Sequence, residues 1–322
     1  MNLNEYLQKQ KLNGHCPVLL GEVLEHLACK PQGSYLDCTF GAGGYSKALL
    51  NINDEIKVTA LDQDPTVIRF ADNLKNEFGN RFDFIQSNFA DCAQTLLKKK
   101  FDGIVLDLGI SSMQVDTAER GFSFMQDGPL DMRMSNKGLS AHEWIMSAPE
   151  HEIADVIYKY GEEVQSRAIA RAIVEYRLND QIDTTLKLAE IVREAMHYRH
   201  GKIDPATKTF QAIRIFINKE LYALEKLLNE FRDLLNDGGM IAIVSFHSLE
   251  DSIVKNFFKS NSAKKVSKSK YAKDIEEYKE HEWLKVITKK PISPTREEVT
   301  LNIRARSAKL RIAQKIGGRN VA

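Results

Sequence analysis

Ser34-Tyr-Leu-Asp-Cys-Thr-Phe-Gly-Ala-Gly-Gly-Tyr-Ser-Lys-Ala-Leu-Leu50 is the stretch that decides the fold. It reads as a β-rich run, then a glycine corner at Gly41, Gly43 and Gly44, then a helical pattern. Three similar runs follow, Lys57-Val-Thr-Ala-Leu-Asp62, Phe82-Asp-Phe-Ile-Gln86 and Gly103-Ile-Val-Leu-Asp-Leu108, each separated from the last by room for one helix. Strands alternating with helices predict a parallel sheet covered on both faces. After Leu108 the rhythm stops. From 115 to 205 the pattern predicts helices only, over His142 to Lys159, Glu162 to Arg177 and Thr184 to His197, with apolar spacings such as Val164, Ala168, Ile169, Ala172 and Ile173. The sheet pattern then resumes with one long helix from about Thr209 to Leu235, the turn Asp237-Gly-Gly239 and a strand over Met240 to Phe246. Further strands are predicted at Leu284 to Thr288 and Val299 to Ile303. The domain expectation is therefore a sheet domain over 1–114, a helical insertion over 115–205 and a return to the sheet domain over 206–322.

The chain has 322 residues, enough for one large domain or two ordinary ones at roughly 150 residues each. Lys and Arg total 45 against 44 acids, so any polyanion must be met by local clustering and not by bulk charge. Such clustering exists: from Arg296 to Arg319 there are seven Arg or Lys against only Glu297 and Glu298, and the stretch Lys259 to Lys279 is rich in lysine and reads as a mobile loop. The start of the chain carries no basic region leading into an apolar core, and no apolar run approaches the ~18 residues of a membrane span. A cytoplasmic protein without a membrane partner is expected. Cys16, Cys29, Cys38 and Cys92 lack zinc-ligand spacing, so reduced structural thiols and no metal are expected.

The glycine corner separates two cofactor classes. A dinucleotide fingerprint needs a third glycine where this chain has Ser46, and it holds a pyrophosphate on the helix N-terminus. S-adenosylmethionine has no pyrophosphate, but carries a sulfonium and an α-amino group that favour a carboxylate, for which Asp37 is placed. Asp62, at the end of the second strand, suits the ribose hydroxyls. Phe89, just past the third strand, can wall the adenine or belong to the core. Asp107 ends the fourth strand at the carboxyl edge of the sheet, where ligands bind in this architecture.

Six motifs then carry more than a fold: Asp37-Cys-Thr-Phe-Gly-Ala-Gly-Gly44, Leu106-Asp-Leu-Gly-Ile-Ser-Ser112, Glu119-Arg-Gly-Phe-Ser-Phe-Met125, Asp127-Gly-Pro-Leu-Asp-Met-Arg133, Lys208-Thr-Phe-Gln-Ala-Ile-Arg214 and Ser245-Phe-His-Ser-Leu-Glu-Asp251. In this order they closely resemble the RsmH (MraW) family, and the resemblance runs from His15 to Ser307. It implies a Rossmann-like, class I adenosylmethionine-dependent methyltransferase sheet with an inserted all-helical domain. It further implies transfer of a methyl group to N4 of a cytidine in the decoding centre of 16S rRNA, within the small ribosomal subunit or its assembly intermediate. The cofactor contacts it implies are Gly43, Gly44, Tyr45, Asp62, Phe89, Asp107 and Gln114; Tyr45 stands where the family usually has His. Two alternatives share parts of this pattern: an amino-methyltransferase of another nucleic acid, and a small-subunit assembly factor without turnover.

The exocyclic amine of cytosine is a poor nucleophile, so positioning and electrostatics must supply most of the acceleration. The Asp/Asn-Pro-Pro-aromatic segment of many amino-methyltransferases is replaced here by Asp107-Leu-Gly-Ile110. Asp107, Ser111 and His247 are the candidate catalytic residues, with Glu250 or Asp251 orienting His247 as proton acceptor. Ser111 and Ser112 can equally donate to the base edge or cap the following helix. Phe122 and Phe124 are candidates for stacking on the base or for the core. Arg120, Asp131, Arg133, Arg304 and Arg306 are candidate RNA contacts, an Asp131 ion pair with Arg120 or Arg133 being the structural alternative.

Overall fold

The computed structural model describes residues 17–27, 29–96, 99–196, 204–262 and 282–316. Two compact units divide the chain: one holds the residues up to Gly109 and from Tyr222 onward, the other Ile110–Leu221. The second unit begins before residue 115 and runs past residue 205, because α10 (Ala206–Asn218) packs on α7 (Glu150–Gly161) inside it.

In the first unit, a sheet with the order β3-β2-β1-β4-β5-β7-β6 is built from β1 (Ser34–Asp37), β2 (Lys57–Asp62), β3 (Phe82–Gln86), β4 (Phe101–Asp107), β5 (Leu235–Ser245), β6 (Leu284–Val286) and β7 (Lys309–Lys315). β1 to β5 are mutually parallel, and β7 runs antiparallel to both β5 and β6. The central strands read as unbroken apolar runs because both faces are covered: Ile104, Val105, Leu106 and Ile241 to Val244 are all buried. The helices of this unit are α1 (Leu20–Leu27), α2 (Gly44–Ile52), α3 (Ile68–Phe78), α4 (Cys92–Thr95), most of α11 (Glu220–Leu234), α12 (Ser248–Asn261) and α13 (Arg296–Leu301). From β1 the chain builds outward through β2 to β3, then returns to start β4 on the other side of β1. That reversal opens a crevice at the carboxyl ends of β1 and β4, the place where open α/β sheets bind ligands.

The second unit contains α5 (Ser112–Asp116), α6 (Ala141–Ser147), α7, α8 (Ser166–Arg177), α9 (Thr185–Ala195) and α10. Its core gathers Trp144, Ile153, Ile157, Ile169, Ile173, Leu188, Val192, Phe210 and Ile213. Phe122 belongs to this core and Phe124 packs edge-on to Phe210 at 4.8 Å, so both expected base-stacking candidates are packing residues.

Several expected boundaries are corrected. Pro149, which has no N–H to donate, divides the expected 142–159 helix into α6 and α7. Lys219, with φ of 51°, ends α10 and splits the expected 209–235 helix. Val164 is 82% exposed and precedes α8 instead of lying on its buried face. The strand expected at Val299 to Ile303 is α13 followed by a 3-10 turn, because Thr295 caps the segment by accepting from Glu298 N–H. The true last strand, β7, was not expected: its buried Arg311 interrupts the apolar alternation. Cys38 and Cys92 are buried free thiols and Cys29 is half-buried, while Cys16 and most of the lysine-rich stretch (263–279) lie outside the described residues.

Candidate functional site

β1 ends at Asp37, and the chain turns through the glycine corner before α2 begins. Gly43 caps α2 in the left-handed region (φ 81°), and a Cβ there would come within 2.8 Å of the Phe40 ring. Among the described residues nothing lies within 4 Å of where a Cβ on Gly41 (φ 54°) would be, so none of them fills the space over the turn. The neighbouring strands hold the corner by backbone bonds: Cys38 N–H donates to Val105 O at 3.0 Å, and Phe40 N–H to Leu61 O at 2.9 Å.

Three carboxylates lie at this edge. Asp62 accepts from Gly41 N–H through Oδ2 (2.8 Å) and from Asp64 N–H through Oδ1 (2.9 Å), which fixes the β2 end against the corner. Burial pushes its carboxyl up. Asp37 has no exposed surface and accepts from the Ser46 hydroxyl (2.7 Å) and Thr39 N–H (3.2 Å). Burial raises it to about 6. Through these two bonds Asp37 braces the corner. Asp107 is the odd one. Its N–H is fixed by Thr39 Oγ1 at 2.7 Å, yet its buried Oδ1 has no hydrogen-bond partner among the described residues. Burial, then the nearby charges of Asp37 and Glu250, push its carboxyl well up. An uncompensated buried carboxylate is costly, and such a group in a cleft marks a functional site.

Around these acids, Phe89 opens a short 3-10 turn after β3 and packs partly against the sheet core. Asn88 caps that turn by accepting from Ala90 N–H and donates to Gln63 Oε1, both at 2.8 Å, joining the β3 and β2 ends. Gly44 and Tyr45 form the first turn of α2. Gln114 belongs to the other unit, where its side chain and Ser111 make a reciprocal capping box at the start of α5. Of the two readings of Ser111, the structure thus supplies the cap. Ser112 is the first residue of α5 and half-buried.

His247 also caps a helix. Its Nδ1 accepts from Glu250 N–H at 3.4 Å while Glu250 accepts from Phe246 and His247 N–H. His247 Nε2 approaches Glu250 Oε1 at 3.1 Å, close enough for electrostatic contact but not aligned as a hydrogen bond. The expected orienting role of Asp251 is corrected: it grips Arg311 through two bonds of 2.6 and 3.1 Å, with Lys309 at 3.4 Å. Burial would raise Asp251, but the Arg311 guanidinium outweighs it and holds the carboxyl below its usual range.

In the helical unit the expected RNA contacts bond to one another. Arg133 grips Asp131 through Nε (2.9 Å) and a terminal nitrogen (2.6 Å), and also donates to Gly138 O. Arg120 donates to the carbonyls of Arg133 and Met134 at 2.9 and 3.1 Å. The bidentate face of Arg133 is thus engaged within the loop, and the ion-pair alternative is the one observed. Arg304 and Arg306 are exposed on the 3-10 turn after α13. Residues that sequence reasoning missed are Thr39, Ser46 and Asn88; the first two sit inside or beside the glycine motif, and the third in the Ser-Asn-Phe turn after β3.

A family model for the MraW methylase family matches residues 13–316. The chain belongs to that family. A Rickettsia felis protein named ribosomal RNA small subunit methyltransferase H is 61% identical over 302 residues, covering 94% of this chain and 98% of its own length. The Rickettsia prowazekii protein of the same name is 60% identical over 302 residues, with the same coverage of both chains. Among solved structures, a Clostridium thermocellum putative rRNA-methylase aligns over 94% of this chain and all of its own, at 10% identity and a TM-score of 0.44, too distant to add to the fold seen here. As a MraW methylase the chain is a methyltransferase that uses S-adenosylmethionine. Its own residues fit that group: among the described residues nothing fills the space at Gly41, and the buried Asp107 oxygen has no hydrogen-bond partner.

Proposed function

We propose that this methyltransferase modifies the exocyclic N4 amine of a cytidine in the decoding centre of 16S rRNA, with the small ribosomal subunit or its assembly intermediate as substrate. The observation that carries the reading is the crevice edge itself, where a buried Asp107 oxygen has no hydrogen-bond partner among the described residues. The ordered motifs and the names of the relatives support rRNA as the polymer.

S-adenosylmethionine, when bound, supplies an electrophilic methyl group on a positively charged sulfur. Gly41, Gly43 and Gly44 let the backbone approach it closely, and Asp62 offers its remaining lone pairs to the ribose hydroxyls. Asp107 provides negative charge at the carboxyl edge of β4, where a cation offsets its burial. Phe89 lines the adenine side. Because the target amine has its lone pair drawn into the ring, the protein acts by holding it in line and excluding water, with little covalent work of its own. Ser111 and His247 serve by capping the helices that follow β4 and β5. Arg304 and Arg306 meet phosphates, and the target base leaves its stack to be reached.

The test is incubation with methyl-labelled S-adenosylmethionine and small subunits that lack the modification, followed by nucleoside mapping. Label on N4 of the decoding-centre cytidine is the expected result; label elsewhere, or on duplex DNA to the same extent, refutes the proposal.

A further inference from the structure

The segment ahead of α1, Pro17-Val-Leu19, is packed into the glycine corner. Pro17 lies so close to Gly44 that a Cβ there would fall 2.3 Å from Pro17 Cγ. The Tyr45 ring is buried, and its hydroxyl donates to Val18 O. Leu19, in the left-handed region (φ 54°), donates its N–H to Glu298 Oε1 at 2.7 Å. Glu298 is the third residue of α13, whose neighbourhood presents the exposed Arg296, Arg304 and Arg306. Three consecutive residues thus touch the cofactor corner at one end and the basic segment at the other. Val18 and Leu19 are buried, and a tripeptide spans only about 10 Å even when fully extended, so both contacts are made by one short, packed segment.

We propose that Pro17–Leu19 is a strut joining the cofactor corner to the basic segment 296–306, with Tyr45 and Glu298 as the positioning residues that hold its two ends, so that cofactor and RNA bind with linked affinities. This rests on reading that segment as an RNA surface. Tyr45 acts through the strut, by a hydrogen bond to backbone. Glu298 acts by accepting from the Leu19 N–H, a bond that also supports a left-handed residue which favours glycine.

The experiment is calorimetry of S-adenosylhomocysteine binding, alone and with a saturating synthetic RNA hairpin that carries the decoding-centre cytidine. In the unmodified protein the hairpin tightens binding about three- to tenfold, the scale of one or two hydrogen bonds. Glu298→Ala keeps the affinity measured without RNA to within about twofold but loses the tightening, and Leu19 amide exchange accelerates. Glu298→Gln, whose amide oxygen still accepts from Leu19, restores both. Tyr45→Phe, which removes the hydroxyl that donates to Val18 O, weakens binding even without RNA. Tightening that survives in Glu298→Ala overturns the inference, as does hairpin binding without any tightening. A hairpin that fails to bind, together with unlabelled small subunits, overturns the reading of function instead.

Discussion

The acids at the sheet edge and those of the helical unit differ in their partners. Asp37 and Asp62 accept from backbone and hydroxyl groups, Asp107 Oδ1 from no group among the described residues, and burial pushes all three carboxyls up. Asp131 is also partly buried, but Arg133 outweighs that burial and holds it down. A paired acid is complete, and its role is to shape a loop. An acid edge that pairs with no cation among the described residues is completed by a positively charged ligand, which is the property of a sulfonium cofactor.

Four substitutions test that contrast. The largest effect is expected at Asp251, the fully paired acid of the sheet unit: Asp251→Ala strands the buried Arg311 and costs about 3–5 kcal/mol by denaturant unfolding. Its carboxyl lies below the usual range, so the stability it contributes is present above that range and is lost as pH falls through it.

Asp37 has the opposite sign. With a folded value of about 6 against 3.8 unfolded, the folded state binds more protons between those limits, and stability of the ligand-free protein falls as pH rises from about 4 to 6. The full change is about 3 kcal/mol, and Asp37→Asn flattens this limb; an unchanged pH profile of melting would contradict the assignment. Asp62→Ala removes the acceptor for two backbone amides as well as the ribose contact proposed for it, and is expected to weaken S-adenosylhomocysteine binding by about 2 kcal/mol in calorimetry. Asp131→Ala is the mildest, at about 1 kcal/mol of stability, because the pair it breaks is partly solvated.

The cofactor edge was legible because its physics is local. A buried parallel strand must be apolar, a sharp strand-to-helix corner must contain glycine, and acids at strand ends fall where the topology reverses. Ser111 and His247 were not separable from catalytic residues by sequence, since a hydroxyl or imidazole at a strand-to-helix junction can cap or react with the same spacing. Arg120, Asp131 and Arg133 misled for another reason: a bidentate arginine fits a carboxylate two residues away as well as it fits a phosphate. The split at Lys219 carried no glycine or proline to announce it, and the cap at Thr295 overrode the β-branched Val299 and Thr300. The Pro17–Leu19 contacts link residues some 280 positions apart, from Leu19 to Glu298, and no local pattern reports them.

The contrast between the two acid sets is tested most directly by calorimetric affinity for S-adenosylmethionine in Asp107→Asn and Asp131→Asn beside the unmodified chain. A loss of about tenfold or more is expected for Asp107→Asn and an unchanged affinity for Asp131→Asn. Equal losses in both, or none at Asp107, would contradict that contrast.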